Sequence, residues 1–279
     1  MASFPLGRYK SSNTFFHRLD ARVKLFAMVL LMVMVFLKLE NQWMDFSFYA
    51  ILLVFVFIVM KISRIKIKSL FRVIKPMWFM MFFLFIVNIF ALKSGNKLFE
   101  WNWFSIYDEA IYMTIYTFIR IVLMLAFSLI LTSTTRPMDL TYALEWYLFP
   151  LKLVKIPVHI IVMIISLALR FIPTLLEESD RIMKAQASRG VDFHQGKFKE
   201  KIKAIISLII PLFISSIQRS SELADAMEVR GYDPSSKRTR YREMKIRFVD
   251  ILVFFVMLLA LAGIILLMVF NVNLFMWVM

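Results

Sequence analysis

The sequence predicts an all-α integral membrane protein with about five transmembrane helices and a cytoplasmic coupling domain of two long crossed amphipathic helices. The 279 residues are 61% hydrophobic and 19% charged, whereas soluble domains average about 45–50% apolar and about 25% charged residues. The net charge is nevertheless +15. The chain is therefore too apolar for an ordinary soluble domain and too basic for a simple bundle of lipid-facing helices.

Composition also excludes several classes of function. The sequence has no Cys and three widely spaced His residues, so it offers neither a thiolate site nor the ligand spacing of a metal centre. The basic pI would suit nucleic acid, but 29 Phe and 20 Met point to the lipid bilayer as the partner instead. We predict no nucleic-acid partner, no cofactor and no metal.

Five apolar stretches are long enough, with their flanks, to cross a bilayer. The first three are short, so Lys38, Lys61 and Lys75 are expected to extend towards the interface. We predict a tail with four spans at 1–132, a coupling domain at 133–247 and a last span at 248–279. The predicted spans are Leu25–Leu39, Phe46–Met60, Met77–Leu92, Ala110–Thr132 and Val249–Phe270.

The distribution of Lys and Arg gives the expected orientation. Of the 34 basic residues, 30 fall in alternate segments between the spans, three fall in the other segments, and Arg120 lies inside the fourth span. Because cytoplasmic loops carry the excess of Lys and Arg, we expect the N-terminus and the coupling domain in the cytoplasm. The C-terminus is then outside.

Two shorter apolar runs, Ile160–Leu169 and Ala204–Ile217, lie inside the predicted coupling domain. Runs of about 10–14 residues are typical of buried or interfacial helices, and Arg170, Pro173 and Pro211 interrupt the pattern around them. We predict amphipathic helices at the cytoplasmic face. A transmembrane hairpin is the alternative, although it would move many cations outside.

The helical pattern around these runs extends to two long helices, about Pro157–Arg189 and Phe198–Arg230, each with an internal proline. Small residues spaced four apart let another backbone approach a helix closely. We therefore expect the helix crossing to involve Pro173, Pro211, Ser216, Ser220 and Ala224.

Both predicted helices end in Arg-Gly. Glycine after the last turn is a common left-handed cap, and a cation there complements the helix dipole. The repeat favours a second interpretation, because an Arg at a helix end is suited to a carboxylate in a partner's groove. The residues of the two ends are Ala187, Ser188, Arg189, Gly190, Glu228, Val229, Arg230 and Gly231.

Other candidate sites have simpler explanations. Arg120 is a membrane-embedded cation, and such a residue is a candidate for a role in permeation. A structural Arg that bonds to backbone carbonyls, Asn88 or neighbouring hydroxyls explains it at least as well. The cluster Glu177, Glu178 and Asp180 shares a helix face with cations, which predicts a solvated, ion-paired face. The run Lys237–Arg242 is expected to attract anionic lipid. Gly190–Phe198 lacks the spacing and the Ser or Thr of a phosphate-binding loop.

The two helix ends resemble the paired Ala-Arg-Gly motifs of the transmembrane T component of energy-coupling factor (ECF) vitamin transporters. The first end differs by Ser188 in place of the usual alanine. The resemblance extends over nearly the whole chain. Its further similar segments are His17–Lys24, Thr132–Pro137, Leu140, Glu145, Pro150-Leu151, Arg170–Pro173 and Thr239–Tyr241. In the first of these, Ala21 stands where proline is usual in the family.

This resemblance implies a non-catalytic scaffold of an ABC-type importer in a bacterial cell membrane. Arg189 and Arg230 would dock into two ABC-type ATPase subunits, and the apolar faces of the same helices would hold a small membrane-embedded S component. A self-sufficient channel or secondary transporter is the alternative; it predicts facing polar residues across several spans or inverted repeats. A membrane-bound enzyme would need titratable residues that converge at one depth.

Overall fold

The computed structural model divides the chain into two compact units. Met1–Ala143 and Met244–Met279 form unit 1, and Leu144–Glu243 form unit 2. The described residues are 12, 14–37, 42–92, 94, 97–101, 104–154, 157–193, 197–233 and 246–278.

Unit 1 is built from helices whose sequences are mostly apolar. In chain order its elements are α1 (Phe15–Arg18), α2 (Ala21–Phe36), α3 (Gln42–Ile62), α4 (Ile67–Ile74), α5 (Met77–Ala91), β1 (Lys97–Trp101), β2 (Phe104–Tyr107), α6 (Asp108–Thr134), the start of α7 (Pro137–Leu148) and α10 (Phe248–Val278). Its buried core lies among α2, α3, α4 and α6, with Met34, Tyr49, Leu70 and Leu123 among its members.

Strands β1 and β2 form an antiparallel hairpin, which pairs Trp101 with Phe104 and Glu100 with Ser105. We expected no strand between the third and fourth spans. With five and four residues, the two strands leave the all-α class unchanged.

Unit 2 begins within α7 and continues with a 3₁₀ turn at Phe149–Val154. Two long helices follow, α8 (Val158–Ser188) and α9 (Phe198–Val229), and each contains its proline without interruption. Their bounds confirm the two long helices that the sequence predicts.

Among the described residues, four helices are long and apolar enough to cross a membrane, or five if α4 and α5 are counted as one bent span. The four lie in α3, α6, α8 and α10, which confirms an all-α membrane protein. The set differs from the predicted one at three helices, because α2 is absent, α5 counts only together with α4, and α8 is added. Helix α2 has 16 residues, about 24 Å, and is shorter than a bilayer core of about 30 Å.

The helix added to the set is α8. We expected the run Ile160–Leu169 to lie at the cytoplasmic face and not to span, but the 31-residue helix that contains it is long and apolar enough to cross a membrane. Arg170 and Pro173 do not end the helix, so its apolar first half and amphipathic second half form one element.

Candidate functional site

The end of α8 is closed by two backbone hydrogen bonds around a left-handed glycine. Gly190 has φ of +88°, and its N–H donates to the carbonyl of Ala187 at 3.0 Å. The N–H of Val191 reaches back to the carbonyl of Gln186 at 3.1 Å. This pair of bonds is the Schellman motif, with Arg189 at the C-cap position.

Helix α9 ends with the same motif. Gly231 has φ of +69°, and its N–H donates to the carbonyl of Glu228 at 2.8 Å. The N–H of Tyr232 donates to the carbonyl of Met227 at 2.9 Å, and Arg230 is the C-cap. The local signal of glycine after the last turn therefore predicts both helix ends correctly.

The residues of both ends are accessible. Arg189 and Arg230 are exposed, and 88% of the Val229 surface is accessible. Ser188 is also exposed, and its hydroxyl donates to the carbonyl of Lys184 at 3.1 Å. Each helix thus presents a guanidinium at its negative end, where the helix dipole favours a cation.

Side chains on the two long helices join them away from these ends. Arg219 of α9 donates to the Glu178 carboxylate at 2.8 Å and to the Thr174 hydroxyl at 3.2 Å. The Ser215 hydroxyl donates to the second carboxylate oxygen of Glu178. One carboxylate of α8 therefore holds two residues of α9 that are one helical turn apart.

Of the predicted crossing residues, Pro173, Ser216 and Ser220 are sequence neighbours of Thr174, Ser215 and Arg219 in this contact. Ser216 is half-buried, and its hydroxyl donates to the carbonyl of Leu212 at 2.6 Å. Pro173, Ser220 and Ala224 are exposed, and Pro211 is half-buried. The role of the Ser216, Ser220 and Ala224 stripe in the helix crossing remains a prediction.

Sequence reasoning missed the Glu178–Arg219 ion pair, since it placed Glu178 on a solvated face that is ion-paired with cations of its own helix. Glu178 is half-buried, whereas Glu177 and Asp180 are exposed. Ser215 and Arg219 are spaced four apart on α9, which places them on one helix face. That spacing is the signal in the sequence, but it does not identify the partner carboxylate.

Arg120 in α6 is bound by tyrosines. Its guanidinium donates to the Tyr116 hydroxyl at 2.7 Å and to the Tyr49 hydroxyl at 3.4 Å. The same group lies 4.6 Å from the Tyr116 ring centroid, within the range of a cation–π contact. The expectation of neighbouring hydroxyls is confirmed, while Asn88 donates to Thr114 instead.

Residues of the segment His17–Lys24 form a polar cluster at the start of α2. The Asp20 carboxylate caps α2 by accepting from the N–H of Arg22 at 2.9 Å. Arg22 donates to the Tyr142 hydroxyl at 2.7 Å, and Lys24 donates to the carbonyl of Thr134 at 3.1 Å.

Asp250, at the start of α10, connects this cluster to the other end of the chain. Its carboxylate accepts from the N–H of Asp20 at 2.9 Å and from the N–H of Arg247 at 2.8 Å. Asp250 is 1% exposed and Asp20 is 7% exposed, so the carboxylate supplies a partner to an Asp20 amide that would otherwise be costly to bury.

Burial lowers the pKa of Lys24 to about 8, and the carboxylates of Asp139, Asp20 and Asp250 offset part of this effect. Loss of water around an ammonium group favours its neutral form, whereas nearby carboxylates favour the charged form.

Among the described residues, no group of three or more His, Cys, Asp or Glu side chains could hold a metal ion. Gly190, which begins the loop with a distant likeness to a phosphate-binding motif, closes α8 as its cap. Two sequence-predicted segments, Thr239–Tyr241 and the basic run Lys237–Arg242, lie outside the described residues.

Several apolar helices of spanning length, together with a separate unit of two paired helices that end alike, define a polytopic all-α membrane protein. A family model described as cobalt transport protein, CbiQ, matches residues 12–241. The chain belongs to this CbiQ/EcfT family.

Relatives with similarity along most of their length are named energy-coupling factor transporter transmembrane protein EcfT. The Macrococcus caseolyticus protein is 41% identical over 86% of this chain and 88% of its own length. The EcfT 1 of Listeria monocytogenes is 40% identical over 94% and 97% of the two chains. The Bacillus subtilis protein is 39% identical over 88% and 90%.

Proposed function

We propose that this chain is the non-catalytic membrane scaffold of an ECF-type ABC importer. It transmits motion from two ATPase subunits to a small membrane-embedded S component, which binds a vitamin or another micronutrient. ATP hydrolysis takes place in the partner subunits. Support comes from family membership and from relatives that are named energy-coupling factor transmembrane proteins.

The observation that carries the proposal is the equivalence of the two helix ends. Both α8 and α9 end in a Schellman motif with an exposed Arg at the C-cap and a left-handed Gly after it. A helix end that needs only a cap does not require an Arg at this position. Two equivalent cationic ends are suited to two copies, or two homologues, of one acidic docking groove.

In this proposal, Arg189 and Arg230 make the charge-assisted contacts with the ATPases. Gly190 and Gly231 stop the helices so that the guanidinium groups extend past the last turn. The remaining docking residues, Ala187, Ser188, Glu228 and Val229, form the exposed surface around each Arg. The apolar faces at Ile160–Leu169 and Ala204–Ile217 support the S component.

The proposed orientation follows from the basic residues. The N-terminus and unit 2 face the cytoplasm, where the ATPases are, and the C-terminus is outside. Thirty of the 34 Lys and Arg residues then lie on the cytoplasmic side, in agreement with the positive-inside rule.

The test is charge reversal at each helix end in cells that also produce two ATPase subunits and an S component. Arg189→Glu and Arg230→Glu are each expected to lower ATPase co-purification by at least about tenfold and to abolish uptake, because a reversed charge repels an acidic groove. The amount of protein in the membrane should not change.

Arg181→Glu is the matched control, because Arg181 is an exposed Arg of α8 away from its end. It should retain ATPase binding and uptake. Full binding and uptake in both reversed variants would overturn the proposed coupling function, and loss in only one would mean that the two ends are unequal.

A further inference from the structure

The last turn of α3, the following turn, helix α4 and its C-cap carry an exposed cationic surface that the proposed docking contacts do not use. Residues 61–75 contain six basic residues and no acidic residue. All six basic side chains are exposed. This surface, called here the α4 basic surface, comprises Lys61, Arg64, Lys66, Lys68, Arg72 and Lys75.

Helix α4 has three faces. Leu70 is buried in the core of unit 1, and Val73 and Ile74 pack against the same core. Ile67 and Phe71, by contrast, are 49% and 67% exposed. At about 100° per residue, these two apolar side chains lie between the buried face and the cationic edge.

The cationic edge of α4 consists of Lys68, Arg72 and Lys75, which fall within about 60° of one another around the helix axis. An exposed apolar pair beside a cationic edge is the arrangement of an interfacial helix, in which apolar side chains enter the acyl region and cations meet headgroups.

The position of α4 between two apolar helices agrees with this arrangement. Helix α3 spans by length and composition, and α4 meets α5 at an angle of 51°. The eight residues of α4 extend about 12 Å, and its exposed cations are incompatible with the hydrocarbon core. Trp78 at the start of α5 is 72% exposed, as expected of an aromatic residue at the interface.

The backbone conformation at Arg64 is a second observation about the α4 basic surface. Helix α3 ends in the same Schellman motif as α8 and α9, with Arg64 N–H donating to Lys61 at 3.2 Å and Ile65 N–H donating to Met60 at 2.9 Å. Arg64 has φ of +55°, a conformation that glycine adopts without the Cβ clash. The chain thus holds an exposed guanidinium at a position where the backbone favours glycine.

We propose that the α4 basic surface binds the anionic phospholipid headgroups of the membrane that the chain spans. Charge complementarity supports this occupant, because clustered Lys and Arg beside a span attract anionic lipid. Ile67 and Phe71 add apolar contact with the acyl chains of the same lipids. The proposal does not depend on ATPase docking, since it involves unit 1 residues far in sequence from Arg189 and Arg230.

The experiment measures which lipids remain with the purified full-length chain. The protein is reconstituted in nanodiscs of phosphatidylcholine with a minor fraction of phosphatidylglycerol, then extracted in detergent, and both lipids are quantified by mass spectrometry. The original sequence should retain phosphatidylglycerol in excess of its bulk fraction. The triple variant Lys68→Gln, Arg72→Gln, Lys75→Gln should lower this enrichment by about fivefold or more, because each cation that is removed no longer attracts the anionic headgroups.

The matched control is the triple variant Lys199→Gln, Lys201→Gln, Lys203→Gln, which removes three exposed cations of α9 and the same total charge. It should retain the enrichment. An equal loss in this control would overturn the proposal, because the enrichment would then follow net charge and not the α4 basic surface.

Arg64→Gly separates lipid binding from folding. It removes one cation and relieves the backbone at the turn, so the enrichment should fall while the unfolding temperature stays the same or rises. Unchanged enrichment in both Arg64→Gly and the α4 triple variant would overturn the proposal and would indicate that this surface meets solvent or an acidic protein.

Discussion

At the scale of single residues, Arg120 shows how a span accommodates a cation. Its guanidinium has hydroxyl partners in Tyr116 and Tyr49 and lies over the Tyr116 ring. The Tyr49 hydroxyl in turn donates to the carbonyl of Val35 at 2.9 Å. Hydrogen bonding of this kind compensates for lost water, so the arrangement favours a structural role that links α2, α3 and α6.

Lys24 is a different case, because its burial leads to a pH dependence of stability. Its pKa is lowered from 10.5 to about 8 in the folded protein. Below about pH 8 both folded and unfolded chains hold the proton. Between about pH 8 and 10.5 the folded chain loses it first, so the free energy of unfolding rises with pH in this window.

We predict that Lys24→Met removes this rise. In the original sequence the free energy of unfolding should increase by about 1–3 kcal/mol from pH 8 to 10 through this group, and the variant should lack that increment. Chemical unfolding of the detergent-solubilised chain, measured across this range, gives the difference.

Lys199→Met provides the comparison, because Lys199 is exposed and should retain the pH dependence of the original sequence. An identical pH profile for Lys24→Met and the original sequence would contradict the lowered pKa.

At the scale of elements, the pairing of α8 with α9 depends on one half-buried carboxylate. Glu178 accepts from both Arg219 and Ser215, and the ion pair is partly shielded, with side-chain exposures of 21% and 34%. A charge-assisted hydrogen bond in such a place contributes more than a fully exposed ion pair. The pair therefore fixes the register of the two helices that carry the candidate docking ends.

A double-mutant cycle tests this pair. Glu178→Ala and Arg219→Ala should each destabilise the chain, and their coupling energy should be about 1–2 kcal/mol. Thermal unfolding of the two single variants and the double variant, each measured in detergent, gives the coupling.

Glu177→Ala combined with Arg219→Ala is the matched cycle, because Glu177 is the exposed neighbouring carboxylate. Its coupling should be close to zero. Equal coupling in the two cycles would mean that Arg219 responds to the general acidic field of α8 and not to Glu178.

Some helix ends are predicted by their local sequence, whereas another depends on tertiary packing. The ends of α8 and α9 agree with the prediction because an Arg-Gly cap acts within one turn of the helix. The turn after α3 forms the same motif with Arg64 in place of glycine, and its sequence carries no such signal. There, the packing of Ile65 and Leu70 on the core of unit 1 accompanies a conformation that local preference disfavours.

At the scale of the whole molecule, the separation of apolar and basic residues accounts for a chain that is both 61% hydrophobic and strongly positive. In unit 1 the apolar residues form helices of membrane-spanning length. In unit 2 they form the first half of α8. Most of the basic residues fall in alternate segments between predicted spans.

The proposed orientation can be tested directly, because the absence of native Cys makes each introduced thiol a unique label. Ser94→Cys, in the exposed part of the segment after α5, should react with a membrane-impermeant maleimide in intact cells. Ser221→Cys, on an exposed position of α9, should react only after the membrane is permeabilised if the proposed orientation, which follows the positive-inside rule, is correct.

The reverse labelling pattern would contradict the orientation. Each variant should first be shown to support uptake at the level of the original sequence, so that the labelled protein is the assembled one.

The sequence by itself determined the all-α membrane class, the extents of the two long helices and the form of their ends. These features depend on hydropathy over about 20 residues and on capping within one turn, which are local in the chain. Tertiary structure alone decided that Glu178 pairs with Arg219, that Tyr49 and Tyr116 bind Arg120, and that Asp250 accepts from the backbone of Asp20. The last two residues are 230 positions apart. Such partners follow from how the helices pack in space, because a polar group that leaves water must bond to whichever group the fold brings near it.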